Sequence, residues 1–358
     1  MGKLRVLIVD DSVIIRRIIS EIVSSESSLE VAGTAANGKI ALAKISHLNP
    51  DIVTLDMEMP VMNGIETLQE IRKMYPVLPV IMFSTLTERG AVATLEALAA
   101  GATDYVTKPS QTRSLKESVG QIKNTLIPKI KAVSSKKTGP RTTKVLNVTG
   151  FKKLQELRSR RLIRQSIPKI VAIGVSTGGP NALSKIMPLF PKDFPIPILI
   201  VQHMPPVFTK SLADRLNSIS KITISEAKDN LEIKNSHAYI APGNFHITVE
   251  KENFGYKIKT NQEPPENSCR PSADVLFRSV AKNFGASSVA VVLTGMGMDG
   301  LRGSEHIYEK GGRIIAQDKQ SSVVWGMPGA VVKAGFANTV LPLNQITEEI
   351  IQIVCPKK

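Results

Sequence analysis

Ile170-Val171-Ala172-Ile173-Gly174-Val175-Ser176-Thr177-Gly178-Gly179-Pro180 is the stretch from which the fold is read. An apolar run of strand length ends in Gly-x-Ser-x-Gly, and Ala182, Leu183, Ile186 and Met187 continue it at helical spacing. Gly174 and Gly178 flank Ser176 and permit a tight strand-to-helix turn that a side chain would obstruct. Such a turn lifts the hydroxyl off the sheet edge and aims the first N–H groups of the helix at any oxyanion formed beside it. Taken alone, the spacing suits a phosphate cradle equally well. Two further apolar strands decide for a nucleophile. Pro195–Val201 runs into Gln202-His203, and Ser288–Leu293 runs into Thr294-Gly295-Met296-Gly297-Met298-Asp299-Gly300. These supply the base and the carboxylate that a nucleophilic serine requires.

Five histidines compete for the role of base, because a serine hydroxyl attacks at neutral pH only when a neighbour takes its proton. His47 lies in the N-terminal half, His237 and His246 among short strands, and His306 in a helical stretch. His203 alone follows a long apolar strand, as Ser176 does. Asp299 is the best candidate to orient the imidazole, Asp318 the runner-up, and Asp274 is expected to cap its helix. A hairpin is expected from 246–250 to 256–260.

Upstream, Leu4–Val9 is a buried strand running into Asp10-Asp11-Ser12, and Asp51–Leu55 is another, ending at Asp56. Val80–Phe83 ends at Ser84, and Asp104–Thr107 is followed by Lys108-Pro109. With a strand near 30–35 and intervening helical patterns, five strands alternate with five helices, which means a parallel sheet covered on both faces. Asp10, Asp11, Asp56, Ser84 and Lys108 then gather at the carboxyl edge, where such sheets do their chemistry. Three clustered carboxylates call for a hard cation and imply an octahedral magnesium site. Magnesium, Lys108 and the Ser84 hydroxyl would offset the charge of a phosphoryl group arriving on one carboxylate. The helical pattern after Lys108 extends to Ile127 and is expected to stop at Pro128.

The chain has 358 residues, 42% of them hydrophobic, a mean hydropathy of +0.01 and a net charge of +15. That is enough chain for two domains. Most of the charge is local: residues 111–168 hold 15 Lys and Arg against two Glu, a net of +13. The reading is 1–125 as a first domain, 126–167 as a basic linker and 168–355 as a second, mostly parallel α/β domain. No zinc-finger spacing, basic zipper or recognition-helix pair accompanies the charge, so no nucleic acid is expected as a partner. The arginines 158, 160, 161 and 164 are instead expected to add salt-sensitive attraction to acidic helices or anionic headgroups. Apolar runs stop at strand length, and Met1 leads straight into one. A membrane span and a secretory leader are therefore not expected. Cys269 and Cys355 are too few for a disulfide framework, which fits a cytoplasmic location.

Residues 3–125 resemble the receiver domain of two-component response regulators, a flavodoxin-like, doubly wound (βα)5 unit. The resemblance implies that Asp56 accepts the phosphoryl group, that Asp10 and Asp11 hold Mg2+ with it, that Ser84 and Lys108 contact phosphate, and that Tyr105 is the switching aromatic. The runs Gly174–Pro180, Gln202–Thr209, Ala241–Asn244, Arg270–Asp274 and Leu293–Gly300 are similar to those of chemotaxis protein-glutamate methylesterases. That resemblance implies a Ser176–His203–Asp299 triad, an oxyanion site at the Met296 N–H with Thr177 close by, and Arg270 as an anchor for acidic receptor groups. It further implies a serine carboxylic-ester hydrolase that also acts on protein glutamine, with no cofactor for the hydrolysis. Chemoreceptors would be its substrates and a chemotaxis histidine kinase its phosphodonor. A phosphorylation-gated adaptor and a regulator acting on nucleic acid through the basic linker are the rival readings.

Overall fold

Each apolar run named above forms a strand in a computed structural model of the chain, which describes residues 2–108, 115–134, 166–253 and 255–356. In the first unit β1 (Leu4–Val9), β2 (Leu29–Ala35), β3 (Ile52–Asp56), β4 (Val80–Ser84) and β5 (Asp104–Thr107) form one parallel sheet in the order β2-β1-β3-β4-β5. Side chains of β1 alternate between the two faces: Leu7 and Val9 join one core, Val6 and Ile8 the other. The covering helices are α1 (Val13–Ser24), α2 (Gly38–Leu48), α3 (Gly64–Met74), α4 (Glu88–Ala99) and α5 (Leu115–Ser134). The first four start on side chains that accept a backbone N–H: Ser12, Asn37, Asn63 and Thr87. Asn63 and Glu66 complete a capping box.

α5 departs from expectation, since it continues through Pro128 to Ser134. A proline inside a helix costs roughly 3 kcal/mol. Against that, Ile127, Ile130 and Val133 are buried on the face that holds Val6, Ile8 and Ile52. Each such side chain contributes about 1.5–3 kcal/mol, so burial wins. Lys129 and Lys131, counted above as linker charge, are paired to Asp104 at 2.9 Å and to Glu26 at 3.0 Å. The arginines 158, 160, 161 and 164 lie outside the described residues.

In the second unit a seven-stranded sheet runs β15-β14-β13-β6-β7-β10-β8, with every neighbouring pair parallel. Its strands are β6 (Ile170–Val175), β7 (Ile198–Gln202), β8 (Thr223–Glu226), β10 (His237–Ile240), β13 (Ser288–Val292), β14 (Arg313–Gln317) and β15 (Thr339–Leu341). A smaller antiparallel sheet joins β9 (Leu231–Glu232), β11 (His246–Glu252) and β12 (Gly255–Asn261). The expected hairpin is β11–β12, with Val249 opposite Ile258. The helices are α6 (Gly179–Ile186), α7 (Phe208–Ile219), α8 (Ala273–Phe284), α9 (Leu301–Glu309), α10 (Met327–Lys333) and α11 (Leu343–Val354). No helix among the described residues is long and apolar enough to cross a membrane.

The two units share a packed boundary. α4 rests against α6 and α7, and the buried apolar cluster runs without a break from Leu95 and Leu98 to Ala182, Phe208 and Leu212. The Tyr105 ring stacks on Phe208 with centroids 5.0 Å apart and planes 6° apart. Asn181 Nδ2 donates to the Ala102 carbonyl at 3.3 Å.

Candidate active site

Adjacency of β13, β6 and β7 brings three strand ends side by side. The chain leaves β6 for α6 on one side and returns in β13 on the other side of β6, so this is a point where strand order reverses. Ser176 follows β6 and donates its N–H to the Thr294 carbonyl at 3.0 Å, while its own carbonyl accepts the Gly179 N–H at 2.7 Å. Gly178 closes the turn at φ 78°, the left-handed region that favours glycine. At Gly179 a Cβ would fall 1.9 Å from Gln202 Oε1. The turn therefore needs both glycines. Gln202, the last residue of β7, is buried and donates Nε2 to the carbonyls of Ser176 at 3.1 Å and His203 at 3.3 Å. One amide thus ties the backbone of Ser176 to that of His203, a role that sequence reading missed.

His203 Nε2 lies 2.7 Å from Asp299 Oδ2. Asp299, in the turn between β13 and α9, is buried against the N-terminus of α8 and accepts from Ser272 Oγ at 2.7 Å, from the N–H groups of Ala273 at 2.6 Å and Asp274 at 3.1 Å, and from Asn267 Nδ2 at 3.1 Å. Burial pushes this carboxyl up, but His203, Ser272 and the Ala273 N–H outweigh it and hold the pKa down, at about 2. For His203, burial disfavours the charged ring, yet the hydrogen bonds with Asp299 and Cys269 prevail and raise its pKa. The imidazole is thus a stronger base than an ordinary one.

The other candidates have different occupations. Asp318 Oδ1 accepts the Ser321 N–H at 2.9 Å and the Ser321 hydroxyl at 2.6 Å, so it braces its own turn. Asp274 was expected as a helix cap, but Ser272 holds the N-cap position of α8. Asp274 instead accepts the Gly303 N–H at 2.6 Å and joins α8 to α9. Its pKa is raised to about 6 by burial and the Asp299 charge, against the Gly303 hydrogen bond. His246 is buried between the Pro264 carbonyl and the Ser272 N–H, and His306 Nδ1 faces the Arg302 carbonyl. Arg270 places its guanidinium on Asn244 Oδ1 and on the carbonyls of Gln262 and Glu263. These contacts use four of its five N–H groups. It clamps loops and has one donor left for an outside acid. The backbone N–H groups of Thr177 and Met296 make no hydrogen bond among the described residues. Thr177 follows Ser176 in the chain, and a Cβ on Gly295, the residue before Met296, would fall 2.9 Å from Ser176 Cβ.

In the first unit Asp56 is buried at the end of β3, and ligand oxygens of Asp10, Asp11 and Asp56 lie within 4.8 Å of one another. Lys108 Nζ is 2.7 Å from Asp56 Oδ1 and 3.2 Å from Asp10 Oδ2. Burial raises the Asp56 pKa to about 6, with Asp10 adding to the rise and Lys108 opposing it. Asp10 Oδ2 is buried and, beyond the Lys108 ion pair, receives no hydrogen bond. An oxygen-only donor set with a buried carboxylate oxygen held by that ion pair alone fits a hard divalent cation. Ser84 and Lys108 line the same cleft as Asp56, and Ser84 Oγ donates to the Gly90 carbonyl at 3.1 Å while accepting from Thr94 Oγ1 at 2.6 Å.

Comparison with known proteins matches two families along the chain. Residues 6–120 match the response regulator receiver domain, and residues 171–350 match the CheB methylesterase domain. A protein-glutamate methylesterase/protein-glutamine glutaminase of Trichodesmium erythraeum is 53% identical over 352 residues, which cover 98% of this chain and 99% of that protein. One of the same description from Nocardioides is 45% identical, with 98% and 96% covered. The crystal structure of the Thermotoga maritima CheB methylesterase catalytic domain is 45% identical, with a TM-score of 0.52, over 52% of this chain and 99% of that one.

Proposed function

Because this chain belongs to the CheB methylesterase family, in the form that carries a receiver domain, we propose that it hydrolyses glutamate γ-methyl esters on chemoreceptors in the cytoplasm. It also deamidates receptor glutamines, and phosphorylation of Asp56 by a chemotaxis histidine kinase sets its rate. The observation that carries this reading is the 2.7 Å contact between His203 and a multiply hydrogen-bonded Asp299, at the strand end next to Ser176.

With Nε2 engaged by Asp299, His203 takes the Ser176 proton at Nδ1, whose one hydrogen-bond neighbour among the described residues is the weakly bonding Cys269 thiol at 3.5 Å. Ser176 Oγ attacks the ester carbonyl, and the oxyanion is met by the N–H groups of Thr177 and Met296. The intermediate collapses, His203 returns the proton to the departing methoxide, and methanol leaves. His203 then deprotonates a water, which cleaves the acyl-enzyme and restores the serine. An amide passes through the same steps with ammonia leaving, and it needs fuller protonation of the leaving group. In the receiver, Asp10, Asp11 and Asp56 would hold Mg2+, which supplies charge neutralisation for the phosphoryl group. Lys108 balances the remaining charge, and Ser84 turns from Gly90 toward the phosphoryl oxygens.

Methanol release from methylated receptor membranes, with and without acetyl phosphate, tests the reading. Ser176→Ala should lower turnover by roughly 10⁴-fold or more while Asp56 still takes up phosphate. Near-normal turnover in that variant would overturn the serine mechanism. An adaptor, the rival reading, would release no methanol at all.

A further inference from the structure

The two ring nitrogens of His203 have different neighbours. Nε2 faces Asp299, and Nδ1 lies 3.5 Å from Cys269 Sγ, within reach of a weak sulfur hydrogen bond. Ser176 Oγ, the group that must use Nδ1 in catalysis, makes no hydrogen bond among the described residues. Cys269 is held firmly in place. The N–H groups of Glu266 and Cys269 exchange hydrogen bonds with each other's carbonyls at 3.1 and 2.9 Å. Between them Asn267 and Ser268 stand at φ 53° and 61°, the pattern of a tight type I′ turn. Arg278 grips Glu266 through two N–H groups at 2.6 and 2.5 Å, and Asn267 Nδ2 reaches both Asp299 at 3.1 Å and Asp274 at 2.8 Å. One four-residue turn therefore buttresses the carboxylate with its second residue and touches the base with its fourth.

We propose that Cys269 is a positioning residue for the esterase reaction, whose thiol occupies His203 Nδ1 in the resting site and yields it to the Ser176 hydroxyl when an ester binds. A thiol suits that task because it is a poor hydrogen-bond partner. It fixes the plane of the imidazole between turnovers and is easily displaced by a hydroxyl.

The inference rests on the esterase reading, and the experiment separates the two. Full-length, phosphorylated protein carrying Cys355→Ser is the parent, since Cys355 is the other thiol and is exposed. If the parent releases no methanol, the esterase reading fails whatever Cys269 does. If it is active, Cys269→Ala should lower kcat/KM roughly tenfold through loss of imidazole orientation in the free enzyme, with kcat and Tm unchanged. Cys269→Ser should not restore it, because a hydroxyl holds Nδ1 more tightly than a thiol and yields it less readily. Alkylating the parent at Cys269 with iodoacetamide should abolish turnover, because the added group stands where Nδ1 must meet Ser176. Unaltered kcat/KM in Cys269→Ala, or full activity after stoichiometric alkylation, would overturn the proposal. So would activity that survives Ser176→Ala and dies in Cys269→Ala, which would make the thiol the nucleophile.

Discussion

Asp299 accepts hydrogen bonds from His203, Ser272, Ala273, Asp274 and Asn267, so its charge is compensated from several directions before substrate arrives. Replacing it with asparagine exchanges an acceptor for a donor opposite His203 Nε2 and favours the wrong tautomer. Asp299→Asn should therefore lower kcat by about 10⁴-fold. The pH dependence carries a sign as well. Neutral His203 is the active base, so kcat/KM rises as pH climbs through its pKa, and the Asp299 hydrogen bond holds that pKa high. The acid limb of the residual activity in Asp299→Asn should lie at lower pH than in the native protein. A full rate profile checks both points. Asp318→Asn, which disturbs only the Ser321 turn, should keep its kcat; a large loss there would reverse the carboxylate assignment.

At the level of elements, α5 shows why a local stop signal is not decisive. Pro128 removes one helical hydrogen bond, whereas Ile130 is completely buried two residues later. Ile130→Ala should destabilise the receiver by about 2–5 kcal/mol, as a cavity in a close-packed core does. Denaturant unfolding followed at the receiver transition would measure it. A loss below 1 kcal/mol would mean that this end of α5 carries no packing. Strands were far more legible than that helix end. Their apolar runs are read locally, and the residue after each run must lie at the sheet edge. The helix end depended on Val6, Ile8 and Ile52, more than 70 residues away in sequence.

For the whole molecule, α4 and β5 of the receiver pack on α6 and α7, the helices that follow Ser176 and His203. Tyr105 on Phe208 places the expected switch aromatic at that contact. A receiver held there is expected to keep a bulky receptor helix from the site, and repositioning Tyr105 is expected to loosen it, which would give phosphorylation two states to choose between. A fragment beginning at Pro168 should hydrolyse esters without a phosphodonor. A relative's catalytic domain, 45% identical, forms a structure by itself. Tyr105→Ala should raise the unphosphorylated rate of the full chain, and Asp56→Asn should hold it at the basal level. If the fragment is no faster than the unphosphorylated full chain, steric inhibition is wrong.

Asp10, Asp56, Ser84, Ser176 and His203 were assigned to sheet edges from sequence alone. An apolar run of strand length in a parallel sheet delivers its next residue to the same edge whatever its neighbours are. Strand order carries no such local signal, because it arises from which helices cover which face. Only the tertiary structure made β13, β6 and β7 adjacent and chose Asp299 over Asp318 for His203, 96 residues away. Only it committed Arg270 to neighbouring loops and brought Cys269 to the base across 66 residues. Those contacts depend on turns and helix ends meeting in space, and no spacing along the chain encodes them.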